Sequence, residues 1–259
     1  MSHYFPPELY AEVLQYVNQR PDLLKLTRTS RTLSHEASRI LYSDIDLSSI
    51  DVLDRLGLSV IRRPDLCLGT RLFSLHSRVM NAQRIWTHDR LALLRAILTH
   101  MPALTCMTMD VVLTGAWELL RNSLMSSGSR LRQFTFTLPV GSDVTKCRAF
   151  LQSQPSITSL DLPGNVRSFF NLETRSPSFL PNISVIIGYW SFIQDFIKLR
   201  PIRRVRVLSS FQGSNPRETV VFMPSQTVEA LHLASSPAFI PVFASARFLQ
   251  CTYMQDQVR

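Results

Sequence analysis

Histidine, cysteine and the carboxylates are where this sequence could carry chemistry, so their spacing comes first. The six histidines are His3, His35, His76, His88, His100 and His232. A hydrolytic zinc centre needs two of them on one helix face beside a glutamate, or a set of His and Cys at ligand spacing. None forms HExxH, HxH or HxE, and none stands at ligand spacing from a cysteine. The cysteines, Cys67, Cys106, Cys147 and Cys251, form no CxxC, which argues against both a zinc site and a disulfide framework. All four read as reduced thiols, with Cys251 on an apolar position of a strand pattern. There is no GxSxG elbow, and the 8 glycines include neither GxGxxG nor GxxxxGK[ST], so no phosphate cradle is visible. Asp44 and Asp46 flank Ile45 on the polar face of a strand and are too few to hold a metal. His88 and Asp89 read as a loop residue beside a helix N-cap. The expectation is a protein without catalysis, metal or cofactor.

Arginine is the remaining chemistry. Basic residues number 28 against 19 acidic ones, a net charge of +9, and only Lys25, Lys146 and Lys198 are lysines. A guanidinium grips carboxylate or phosphate with two parallel bonds. The charge is spread along the chain, and the densest cluster is Arg200, Arg203, Arg204 and Arg206. It would suit an acidic peptide or a phosphorylated segment.

A recurring pattern must position that cluster: apolar, two residues, apolar, one residue, apolar. It occurs as LFSLHS at Leu72, LTCMTM at Leu104, LRQFTF at Leu131, ITSLDL at Ile157, ISVIIG at Ile183, IRRVRV at Ile202, VEALHL at Val228 and FLQCTY at Phe248, with YSDIDL at Tyr42 as an earlier member. The starts lie 19 to 32 residues apart, close to the period of leucine-rich repeats. From Leu72 onward the fourth position is apolar throughout: Leu75, Met107, Phe134, Leu160, Ile186, Val205, Leu231 and Cys251. The fifth is polar in all but one copy: His76, Thr108, Thr135, Asp161, Ile187, Arg206, His232 and Thr252. That alternation predicts short strands with one face in a core and one in solvent. Helical patterns fall between the strands, at 89–100, 115–124, 143–152 and 190–199. Strand and helix in alternation predict an α/β chain with parallel strands on one side and helices on the other, stacked as a leucine-rich-repeat-like solenoid. An ordinary doubly wound domain would show a glycine-rich turn and strands apolar on both faces; only ISVIIG has the second feature. The open strand face is the candidate client surface, with His76, Thr108, Thr135, Asp161, Arg203, Arg204, Arg206 and His232 as its candidate contacts. The pattern ends on a strand followed at once by the C-terminus, without a polar capping helix. Either a partner covers that strand or the chain is a truncated product.

The first forty residues differ. Pro6 and Pro7 suit a helix start, Leu9, Val13, Leu14 and Val17 form one stripe at helical spacing, and Asn18 to Pro21 break it. Asp22 is a cap for a second helix with Leu23, Leu24 and Leu26, and Ser30 for a third from about Arg31 to Tyr42. Helices this short bury little by themselves, so their leucines must be covered by the rest of the chain or by a partner. The stretch FPPELYAEVLQYV…PDLLKLTRTSRTLSHEASRILYSDIDL resembles the F-box pattern, LPxEL…I/VL…DLL.L..TSR, over roughly residues 4 to 47. It is most similar to the F-box-like proteins abundant in mushroom-forming fungi. Pro6, Glu8, Leu9, Val13, Leu14, Asp22, Leu23, Leu24, Leu26, Ser30 and Arg31 match; Phe5 stands where leucine is usual, and the third helix lacks the frequent aromatic.

The resemblance implies that this module docks a Skp-type adaptor and through it a cullin scaffold, the chain being the substrate-recognition part of a ubiquitin ligase. Its adaptor contacts would be Phe5, Pro6, Leu9, Val13, Leu14, Leu23, Leu24, Leu26 and Ser30. On this reading residues 1–43 are the helical module and 44–259 the solenoid, which holds an unidentified client protein. Adaptor docking requires Leu9, Val13, Leu14 and Leu24 to be partly exposed; a structural cap requires them buried against residues 45 to 75. Two other readings remain, a scaffold without ligase role and a basic solenoid that binds nucleic acid. The latter is disfavoured because no aromatic residues interleave with arginine in the exposed column. No apolar run reaches a membrane span and no secretory signal is seen, so the expected location is cytoplasmic or nuclear.

Overall fold

Short alternating segments become parallel strands, and the segments between them helices, in the computed structural model of the chain. It describes residues 6–17, 19–76, 86–110, 116–137, 143–162, 176, 178–189, 193, 202–208, 230–234 and 248–251. The chain divides into two compact units, Met1–Thr108 with Thr114–Arg130, and Met109–Leu113 with Leu131–Arg259. Among the described residues no helix is long and apolar enough to cross a membrane.

The first unit opens with α1 (Pro7–Leu14), α2 (Arg20–Leu26) and α3 (Arg31–Leu41). Proline stands in the first turn of both α1 and α2, where its missing N–H costs no helical bond. Ser30 caps α3, its hydroxyl accepting from the Leu33 amide at 3.2 Å. The expected cap of α2 is corrected: α2 begins at Arg20, so Asp22 lies inside its first turn and pairs with Lys25 at 2.8 Å. Pro21 is compatible with the earlier start, because in the first turn its fixed φ is already helical and its missing N–H costs no helical bond,.

Next come β1 (Asp44–Leu47), α4 (Ile50–Arg62), a 3-10 turn (Pro64–Cys67), β2 (Leu72–His76), α5 (His88–Thr99), the start of β3 (Cys106–Asp110), and α6 (Ala116–Ser127). Helix α4 has no counterpart among the sequence expectations, although Ser49 caps it from the Val52 amide at 3.3 Å and Leu53, Leu56 and Val60 are buried at helical spacing. Thr87, not Asp89, caps α5, and the expected loop residue His88 is its first helical residue. Helices α4 and α5 pack closely: a Cβ added to Gly57 would lie 2.8 Å from Leu93 Cβ. Arg90 spans the same pair, Nη2 standing 3.2 Å from Asp54 Oδ2.

The second unit carries β4 (Gln133–Phe136), α7 (Val144–Gln152), β5 (Ser159–Asp161), β6 (Val185–Tyr189), β7 (Arg204–Leu208), β8 (Ala230–Ala234) and β9 (Phe248–Cys251). Each strand from β4 to β9 pairs in parallel with the next in sequence. The inward face is the apolar column: Phe134, Phe136, Leu160, Leu162, Ile186 and Val205 are all at most 1 % exposed. Phe134 anchors it, its ring 5.1 Å from Phe150 of α7 and 5.9 Å from Phe136. The helical pattern at 190–199 lies outside the described residues apart from the buried Ile193.

One bonding device recurs in both units. The carbonyl of the second residue of a pattern accepts two amides from the next strand: Arg71 and Leu72 on Ser43, Thr105 and Cys106 on Arg71, Thr158 and Ser159 on Arg132, Ser184 and Val185 on Thr158, Arg203 and Arg204 on Ser184, all at 2.8–3.2 Å. Where the donor is Thr105, Thr158 or Ser184, its hydroxyl adds a third bond to the same carbonyl at 3.1–3.3 Å. Strand starts are thus pinned by backbone groups that any sequence supplies.

These bonds correct the register of two copies. Asp44 lies opposite Leu72 and Ile45 opposite Phe73, so the copy at Leu72 begins at Thr70, which is fully buried and donates to the Tyr42 carbonyl at 2.7 Å. Similarly Leu231 lies opposite Leu249, and Cys251 opposite Leu233, so Leu249 takes the fourth position assigned to Cys251. Both slips are of two residues, which leaves every side chain on its face and is therefore invisible to a rule based on alternation.

Candidate functional site

Two surfaces bear on function, and each is built by its own unit. On the first, α1 is apolar on two sides. Leu14 is 3 % exposed and packs with Leu23 and Ala37, with Val17, Leu26, Leu33, Ile40 and Leu41 around them. Leu9, Val13 and Tyr16 follow one another at four and three residues and face solvent, at 39, 53 and 84 % exposure. Leu24 of α2 is 54 % exposed beside the buried Leu23. The single stripe read from sequence is therefore two: an inner one that ties α1 to α2 and α3, and an outer one with no covering among the described residues.

Of the candidate adaptor contacts, Pro6, Leu9, Val13, Leu24 and Ser30 are exposed, Leu26 is half-buried, and Leu14 and Leu23 belong to the small core. Phe5 lies outside the described residues. Tyr16 was missed, although its spacing from Leu9 and Val13 was there to be read.

The second surface is the outward row of the sheet in the second unit. Thr135, Asp161, Ile187, Arg206, His232 and Gln250 are successive cross-strand partners. Asp161 is half-buried, and desolvation pushes its carboxyl up to about 6, with Arg206 pulling the other way. Arg206 is two strands away, about 10 Å at ordinary strand spacing, so its charge offsets the burial only in part. Asp161 Oδ1 is buried and accepts no hydrogen bond from the described residues. Arg204 lies opposite Val185 and Ala230 and shares the face of Arg206; Arg203 precedes the strand. All three guanidinium side chains are exposed. For His232 the structure places the backbone in β8.

In the first unit Thr108 is half-buried on β3. Its neighbour on β2 is Ser74, because the bonds from Thr105 and Cys106 to Arg71 repeat those that set Asp44 opposite Leu72. His76 sits two residues beyond and reaches back, Nε2 standing 3.6 Å from Asp46 Oδ1. The sequence columns put this exposed pair directly opposite each other; the observed register sets Asp46 opposite Ser74, and the contact is diagonal.

No protein-family model and no curated protein sequence matches this chain. What the site can do therefore rests on its own geometry. Among the described residues no three of His, Cys, Asp and Glu come together to hold a metal. His100 Nδ1 is 2.8 Å from the Ala96 carbonyl, which accounts for its ring locally. The described thiols are poor nucleophiles: burial raises Cys67 to about 11 and lifts Cys147 and Cys106, and a protonated thiol does not attack. Chemically, the two surfaces offer apolar contact on one and hydrogen-bond and anion recognition on the other.

Proposed function

We propose that the chain is a non-enzymatic substrate-recognition adaptor of a cullin-based ubiquitin ligase. The helices α1 to α3 act as an F-box-like module that grips a Skp-type adaptor, and residues 44–259 act as a degenerate leucine-rich-repeat solenoid that holds a client protein. The observation that carries this reading is the outer stripe of Leu9, Val13 and Tyr16 with Leu24. An eight-residue helix that already has an inner core gains nothing for its own stability from exposed aliphatic residues,. A partner would gain from them, since interface energy concentrates in a few buried apolar anchors. Leu9, Val13 and Leu24 fall on positions matched by the F-box pattern, and Tyr16 does not. Arg204 and Arg206, beside Asp161 on the outward row, would meet the client, and their forked donors favour acidic or phosphorylated segments.

The test is co-purification of the full chain with a Skp-type adaptor and its cullin, beside a Val13→Asp, Leu24→Asp double variant. Both positions are exposed, so the variant keeps its fold; Leu14→Asp would place a charge in the small core and confound the result. Binding by the parent and loss in the variant supports the ligase role. Binding by neither leaves a scaffold in which α1 to α3 are a cap. Retention on a polyanion column that falls steeply with salt would instead favour nucleic acid.

A further inference from the structure

Where α2 runs into α3, the first unit carries an open depression of about 400 Å³. Its lining includes Arg28, Arg31, Arg63 and His35, the hydroxyls of Ser30 and Ser34, and no carboxylate. Arg63 is engaged at its edge, where Nη2 donates to Asp65 Oδ2 at 2.9 Å. Arg28 and Arg31 make no ion pair with any described residue. The depression also receives the start of α3, an eleven-residue helix. There Ser30 accepts from the Leu33 amide through its hydroxyl and from the Ser34 amide through its carbonyl. The amides of Arg31 and Thr32 precede the first helical bond and have no helical carbonyl to reach.

We infer that this depression binds a phosphoryl group, held between the guanidinium groups of Arg28 and Arg31 and capped by the first amides of α3. Three features converge on one ligand class. Planar guanidinium forks match the paired oxygens of a phosphoryl group. Unbonded helix-start amides supply further donors aimed at an anion. A concave wall with three guanidinium groups and no carboxylate concentrates positive potential where it is shielded from counter-charge. Asp65, beside the wall, is paired with Arg63. The outer stripe of α1 and α2 takes no part, and Ser30 is the one candidate adaptor contact in this wall, so the inference does not rest on the adaptor reading.

Isothermal titration of the full chain at constant ionic strength tests it, with inorganic phosphate and with O-phosphoserine as separate probes. Saturable binding is expected, weakened at least about tenfold by Arg28→Gln, Arg31→Gln, since each variant removes a charge-assisted contact. The control is Arg95→Gln, Arg121→Gln, exposed arginines of α5 and α6, and its binding should match the parent. Tighter binding of O-phosphoserine assigns the source to a phosphate ester, and tighter binding of inorganic phosphate assigns it to the free anion. Failure of both probes to saturate, an unchanged affinity in the first variant, or an equal loss in the control overturns the assignment. Amide shifts of the parent need no substitution: Arg31 and Thr32 should move most on adding phosphate, and shifts centred elsewhere would count against the site.

Discussion

The helical start of the chain and its strand repeats solve the same burial problem with different means. In α1 to α3 the buried residues of the core are Leu14, Leu23 and Ala37, and apolar side chains of comparable size face water on the same helices. In the repeats, each strand presents its apolar residues to a neighbour built in the same way, and Phe73, Leu75, Phe134, Phe136 and Leu160 are at most 1 % exposed. A sheet extends its core by adding strands, so every copy inherits buried positions. Three short helices have no such neighbour. What they leave exposed has to be explained by something outside the cluster. The repeats bury the inner face of their strands and, among the described residues, leave large apolar side chains exposed only on helices and turns, at Val52, Leu58, Ile61, Leu68 and Met125.

Breaking the stronger side of this comparison should have the largest effect. Phe134→Ala removes a ring that touches Phe136 and Phe150 and should cost ~3–5 kcal/mol in denaturant unfolding. A loss under ~1 kcal/mol would mean the aromatic contacts of β4 and α7 do not organise the core. On the thin side, Leu14→Ala should cost ~2–3 kcal/mol and speed amide exchange in α1 to α3. Leu24→Ala, one helix away and exposed, should change stability by less than ~0.5 kcal/mol while weakening adaptor capture. Equal effects of the two would erase the distinction between inner and outer stripe.

A fourth substitution probes packing between helices. Gly57→Ala improves helix propensity by about 1 kcal/mol but drives a methyl to 2.8 Å from Leu93 Cβ, which is not a flexible tip. Net destabilisation of ~1–2 kcal/mol is expected from overpacking, read as a lower unfolding midpoint; stabilisation would mean that α4 and α5 separate easily.

The smallest effect concerns pH. Asp161 holds its proton more tightly when folded, at about 6 against 3.8 for the free group. As pH rises through about 4 to 6 the unfolded carboxyl ionises first, so stability falls across that window and levels off above it. Because the side chain is partly exposed, the total is about 1 kcal/mol rather than the full shift. Asp161→Asn should flatten that slope, which a pH series of denaturant midpoints would show; an unchanged slope would assign it to another group.

The parts legible in sequence were those set by local rules. The strand alternation at Leu104, Leu131 and Ile157, the Ser30 cap and the spans of α5 and α7 follow from period and capping alone. Helix α4 was equally legible, since Ser49, Leu53, Leu56 and Val60 carry a cap and a stripe, but its apolar residues lay between two strand patterns and were not read as a unit. The register of β2 and β9 was not legible, because alternation is blind to a shift of two and the pinning bonds come from backbone carbonyls. The sequence columns already put His76 beside Asp46, and the register only turns that pair from directly opposite to diagonal.

By itself, then, the sequence determined which residues alternate, where helices begin and that arginine supplies the charge, because these are properties of neighbours along the chain. Tertiary structure decided which of Leu9, Val13, Leu14, Leu23 and Leu24 is core and which is surface. A helix with apolar residues on two sides has no local preference between them; packing against α2 and α3 makes the choice. It also decided that burial raises the Asp161 carboxyl to about 6 and that Arg63 joins the wall formed by Arg28, Arg31 and the start of α3, since burial and convergence arise only when distant segments meet.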